Sequence, residues 1–158
     1  MTIRVVVLLA VIVGVAWLMW TATRLDRLHL KAEAARAIVG ESLQRRAAVA
    51  IELASTGLTD PASAVLLMTA AVRARANPAD WGAQTELTHT LRAVAPAVPD
   101  DELAPVREAQ RDASLARQVH NDLVARAIDL RGRRRVRWFR LAGGAAQPTP
   151  VDYDDADI

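Results

Sequence analysis

The spacing of apolar positions changes character near residue 24. From Val5 to Thr23, nineteen consecutive residues carry no charge: VVVLLAVIVGVAWLMWTAT. At a rise of ~1.5 Å per residue this run reaches roughly 28 Å, close to the hydrocarbon thickness of a bilayer. Lipid offers no partners to backbone N–H and C=O groups, so a helix is the expected form. Trp17 and Trp20 stand at its C-terminal end, where indoles favour the headgroup region. The pattern predicts a transmembrane helix over 5–23 behind a short N-terminus, 1–4. A cleaved leader is the competing reading. Trp17-Leu18-Met19-Trp20 is bulky where a small-x-small cleavage site is required, which favours an uncleaved anchor.

After Thr23 the apolar positions fall at steps of three or four. Leu25, Leu28, Ala32, Ala35, Val39, Leu43, Ala47, Ala50 and Leu53 line one helix face, and no cap separates it from the anchor. Gly57 suits the left-handed residue that ends a helix, and Asp60-Pro61 is a cap followed by a first-turn proline. A second helix then carries Val65, Met68, Ala71, Val72 and Ala76. Asn77-Pro78 predicts a third by the same device, with Trp81, Leu87, Leu91 and Val94 on its apolar side. Asp100-Asp101-Glu102 opens a fourth, where the helix dipole favours negative charge. Its stripe is Val106, Ala109, Ala113, Ala116, Val119, Leu123, Ala127 and Leu130. No period-2 strand is present. The long helices, about 24–56 and 101–132, flank two short ones with tight connections. This predicts an all-α chain, an N-terminal transmembrane helix continuing into an antiparallel up-down-up-down four-helix bundle over 24–132.

Composition sharpens this picture. Of 158 residues, 52% are hydrophobic but only 4% aromatic, which favours small-residue helices over a β-sandwich. The absence of cysteine removes disulfides, thiolate nucleophiles and cysteine-based metal sites. Net charge is +2, but the cations cluster. Arg24, Arg27, Lys31 and Arg36 follow the anchor, against Arg4 before it. The positive-inside bias therefore predicts a single-pass cell-membrane protein, with the short N-terminus outside and the bundle in the cytoplasm.

Four segments carry a family resemblance. Leu25-Asp26-Arg27-Leu28 and Leu43-Gln44-Arg45-Arg46 follow the anchor. Ala116-Arg117-Gln118-Val119-His120-Asn121-Asp122-Leu123-Val124 lies near the end of the last long helix, and Pro148 to Asp157 form an acidic tail with one aromatic residue. In this order they resemble the LemA family of single-pass membrane proteins with a helical soluble domain. His120 stands where the family has Tyr, and Ile51-Glu52 where it has Pro-Asn, the pattern of a divergent member. The resemblance implies topology and fold rather than an activity.

Candidate chemistry is sparse. His29, His89 and His120 fall on different helices without a ligand pair. Glu86-x-x-His89 has the spacing of a di-iron ligand pair, but no second copy exists. Gly143-Gly144 reads as a break rather than a phosphate loop. No catalytic, metal or cofactor site is expected. Asn121 and Asp122 are weak helix formers beside the core stripe, and they suggest a polar contact that sets helix register, with Arg45 or Arg46 across the bundle. A solvated flank is the alternative.

The sharpest local signal is 131–140, where Arg131, Arg133, Arg134, Arg135, Arg137 and Arg140 surround Trp138 and Phe139. A helix C-terminus favours cations, and Arg with aromatics can bind nucleic acid. An even number of helices returns the fourth to the membrane end, however, so 131–144 is expected as a juxtamembrane segment on anionic headgroups, with no nucleic acid. The acidic stretch 145–158 reads as a disordered tail able to compete with lipid for those arginines. The chain is thus expected to be a non-enzymatic adaptor or scaffold. It would present helical faces to a protein partner and could self-associate. The alternative is an accessory subunit of a membrane enzyme or transporter.

Overall fold

A computed structural model describes residues 2–132 and 149–157; side chains at 2, 3, 18, 21, 22, 24–26, 28, 29 and 130–132 are outside that description. These residues are all-α. The order is α1 (Thr2–Ser55), α2 (Pro61–Ala76), α3 (Trp81–Val94), a 3-10 turn (Ala95–Ala97) and α4 (Asp100–Gly132). No helix among the described residues is long and apolar enough to cross a membrane.

Local sequence explains the helix ends. After α1, Gly57 takes φ 75°, a left-handed conformation that suits glycine. The Asp60 carboxylate accepts the Ala62 and Ser63 N–H groups at 3.0 Å each, and Pro61 fills the first turn. Hydrogen bonds from Ser63, side chain first and then backbone, hold that carboxylate below the usual aspartate value. The start of α3 differs from expectation. Asn77 ends α2, its N–H reaching the Arg73 carbonyl, and Asp80 caps α3 by accepting the Ala83 N–H at 3.1 Å. The Asn77 side chain instead closes a turn onto the Ala79 N–H, so the capping role passes three residues along. Pro105 lies inside α4, where it forfeits one helical hydrogen bond.

The chain divides into two units. The first comprises Met1–Glu33 and Asp122–Thr149; of its described residues, Ala32, Val124 and Ala127 are buried. The second comprises Ala34–Asn121 and Pro150–Ile158. Its main core draws on all four helices: Ala47, Ala50 and Leu53 from α1, Leu67, Ala70 and Ala74 from α2, Leu87 and Leu91 from α3, and Leu103 and Val106 from α4. A second cluster joins Val39, Leu43 and Ala113 to Val151 and Tyr153 of the tail.

The expected apolar faces of α2 and α4 hold only in part: Ala71 of α2 and Val106, Ala109, Ala113 and Ala127 of α4 are buried as expected, and other members are not. In α2, Leu67, Ala70, Ala71 and Ala74 are buried, while Val65 and Val72 are exposed. In α4 the stripe passes through His120 and Val124, leaving Val119 exposed. Both helices are so rich in Ala and short apolar residues that more than one stripe fits the periodicity.

The tail is the larger correction. Expected to be disordered, residues 150–157 instead form part of the second unit, with Val151 and Tyr153 buried. Alternation explains it: Val151 and Tyr153 bury apolar area while Asp152 between them faces out, and Asp154 and Asp155 meet Arg92 on α3 and Arg117 on α4.

Candidate functional site

The site forms around one charge. Arg46 sits three residues after Leu43 and one before Ala47, within the buried face of α1, and is 0% exposed. Its guanidinium donates to the Gln84 carbonyl at 2.9 Å, Gln84 Oε1 at 2.8 Å, Thr88 Oγ1 at 3.2 Å and Gln110 Oε1 at 2.8 Å. Among the described residues these partners are neutral, so oriented dipoles rather than a carboxylate hold the ion. An unpaired buried charge costs several kcal/mol, and a planar fork with five donors is suited to recover it from several acceptors. Burial lowers the guanidinium below the usual arginine value, with Tyr153 and Asp155 acting the other way.

Each acceptor passes the network outward. Gln84 Nε2 donates to the Ala74 carbonyl on α2 at 3.0 Å. Thr88 Oγ1 donates to the Asp154 carbonyl at 2.7 Å, and Gln110 Nε2 to the Asp155 carbonyl at 3.0 Å. Arg46 thereby links four helices to the tail.

Side chains of the helices hold the tail along its length. Asn121 donates to the Val151 carbonyl and accepts its N–H, both at 2.9 Å. Thr85 accepts the Asp154 N–H. Arg92 meets the Asp154 carboxylate at 3.3 Å, with His89 at 3.7 Å. Arg117 reaches Asp155 at 2.7 Å, and Ser114 adds a 2.8 Å hydrogen bond. The Tyr153 ring stacks on Trp81 at 6.4 Å between centroids, with Arg46 at 5.4 Å and Arg117 at 5.7 Å. Tyr153 OH and Arg46 Nε are buried without a hydrogen-bond partner among the described residues. Burial pushes the Tyr153 hydroxyl above the ordinary tyrosine value; Arg46 opposes this, Asp155 adds to it and Arg117 opposes it.

The register candidates separate. Arg46 lies at the centre and Asn121 at the tail. Arg45 is on the surface, pairing with Asp112 at 3.1 Å and Glu108 at 3.5 Å. Asp122 is exposed. Asn121 therefore meets the tail backbone rather than Arg45 or Arg46, because docking brings Val151 to it. His120 is buried and His89 exposed. Glu86 pairs with Arg73 at 2.7 Å, and no metal-ligand cluster occurs among the described residues. Trp17 and Trp20 are exposed. Arg133, Arg134, Arg135, Arg137, Trp138, Phe139 and Arg140 lie outside the described residues, as does the Arg131 side chain. Of the tail acids, Asp154 pairs with Arg92 and Asp155 with Arg117; a contact between the tail and 133–140 lies outside the described residues.

Sequence reasoning missed Gln84, Thr88, Gln110, Arg117 and Tyr153. Gln84 and Thr88 share a face with Leu87 and Leu91, and polar residues on a core stripe were the available signal. Three of the four segments named for the resemblance contribute here, through Leu43 and Arg46, Arg117 and Asn121, and Val151 and Tyr153.

The second unit also carries an apolar groove between α1 and α4. About 480 Å³ in volume, it is lined by Ile38, Leu115 and Val119, with Glu41, Arg45 and Asp112 around them. Comparison with family models, curated proteins and solved structures finds no match to this chain.

Proposed function

We propose that the chain is a membrane-anchored, non-enzymatic adaptor whose helical unit offers a face to a protein partner beside the bilayer. One observation carries the reading. Val5, Val6, Val7, Leu8 and Leu9 are each between 51% and 61% exposed. Five successive helical residues sample the whole circumference at about 100° each, so this part of α1 is apolar and open all round. A helix beside water hides one stripe; a helix uniform in this way suits lipid. Exposed Trp17 and Trp20 at the end of the run fit a headgroup boundary.

The orientation follows from the excess of Arg and Lys after residue 23, which favours the cytoplasmic side. The antiparallel order of the four helices, the anionic-lipid contact of 131–140 and membership of the LemA family are parts of the same proposal. The groove lined by Ile38, Leu115 and Val119 is the face offered to the partner, its apolar floor and charged edge resembling a helix-accepting surface.

Separation of cell membranes followed by an alkaline carbonate wash tests the anchor. The full chain is expected to stay in the pellet and enter solution only with detergent; release by carbonate alone overturns the reading. A photo-crosslinking residue at Leu115 should capture a protein neighbour, whereas one at exposed Leu66 on α2 should not. Stoichiometric recovery with one membrane enzyme or transporter would favour the accessory-subunit alternative.

A further inference from the structure

The tail is held as a peptide ligand is held, and we propose that its groove is a receptor for an extended Tyr-Asp-Asp peptide, whose occupant in trans is the tail of a second copy of this chain. Side chains do the holding: Asn121 at both backbone groups of Val151, Thr85 and Thr88 at those of Asp154, and Gln110 at the Asp155 carbonyl. Such a set recognises a strand-like segment whichever chain supplies it. The side chains alternate as an extended ligand requires, Val151 and Tyr153 buried and Asp152 exposed between them. Charge is complementary, with Asp154 and Asp155 against Arg92 and Arg117.

The second copy is the source the observations favour. Its tail is the one sequence whose fit to this groove is on view. The connector 133–148 has sixteen residues, and at ~3.3 Å each could reach roughly 50 Å. Exchange between copies reuses every contact and creates no new interface, the low-cost route to a dimer. The intramolecular tail competes at an effective concentration near millimolar, so exchange is sparse in dilute solution and favoured where copies are crowded. The inference stands whether or not α1 enters lipid.

Two differently tagged full-length chains in detergent test it. One carries Tyr153→Ala and Asp155→Ala, leaving its groove open and its tail unable to dock. The other carries Arg117→Glu and Asn121→Leu, leaving its tail intact and its groove closed. Only the tail of the second can enter the groove of the first. Co-purification should exceed that of two closed-groove chains about tenfold, and a synthetic peptide of residues 149–158 should abolish it. A copy lacking residues 149–158 gives the same readout should the double variant fail to fold. Chains with native helical circular dichroism that do not associate, or that associate indifferently to the peptide, overturn exchange. Failure of the labelled peptide to bind the open-groove chain overturns the receptor itself.

Discussion

The Arg46 guanidinium lies 5.4 Å from the centre of the Tyr153 ring, joining the buried face of the first helix to the tail at the far end of the chain. The ring covers an ion whose other ligands are two glutamines and a threonine, so the tail forms part of the shell that makes the burial of Arg46 tolerable.

Arg46→Ala should therefore destabilise the helical unit by about 3 kcal/mol or more, because it strands Gln84 and Gln110 without their charged donor. Arg46→Lys keeps the charge but loses the fork that reaches several acceptors, and should recover only part of that loss. Denaturant unfolding followed by circular dichroism reads both. If Arg46→Ala unfolds at the wild-type midpoint, the network is not structural.

Asn121→Leu should release the tail while sparing the helices. It removes two hydrogen bonds and leaves both polar groups of Val151 unmet, at about 1–3 kcal/mol. Limited proteolysis should then cut near residue 150 at least several-fold faster, with little change in helix content. An unchanged cutting rate would place Asn121 outside the docking site.

Alkaline pH should loosen the tail. Burial raises the Tyr153 hydroxyl above its ordinary value of 10.0, so the undocked tail loses its proton first as pH rises. Docking stability is then complete below about pH 10 and falls above it. Tyr153 is the single tyrosine, so tyrosinate absorbance reports it directly. Its midpoint in the native chain should lie above that in urea; a midpoint at or below the urea value refutes the burial argument.

The legible part of the fold was punctuation and the long stripe of α1. Asp60-Pro61, the acidic start of α4, and the series Ala35, Val39, Leu43, Ala47, Ala50, Leu53 all fix local geometry by chemistry of their own. The tail was not legible, because composition alone makes Pro148 to Asp157 look solvated. Its order depends on Arg92, Arg117 and Asn121, distant in sequence and gathered only by the packed helices. Arg46 was singled out beside Arg45 by adjacency, yet one is 0% exposed and the other lies among surface carboxylates. Only the rotation of α1 separates them, about 100° per residue.

The rotation of α2 gives the sharpest test of the packing. Periodicity accommodates Val65, Met68 and Val72 facing inward, whereas Leu67 is 0% exposed and Val65 is 65% exposed. Leu67→Ala removes buried methylenes and opens a cavity in the main core, so it should destabilise by about 2–5 kcal/mol. Val65→Ala removes atoms already in water and should fall within about 0.5 kcal/mol of wild type, with a slight gain from helix propensity. The two sites are one helical turn or less apart and differ only in direction, so propensity cannot account for a large gap between them. Equal effects, or a larger loss at Val65, would mean that α2 is rotated toward the opposite face, by up to nearly half a turn, and that the Gln84 link to the Ala74 carbonyl cannot form.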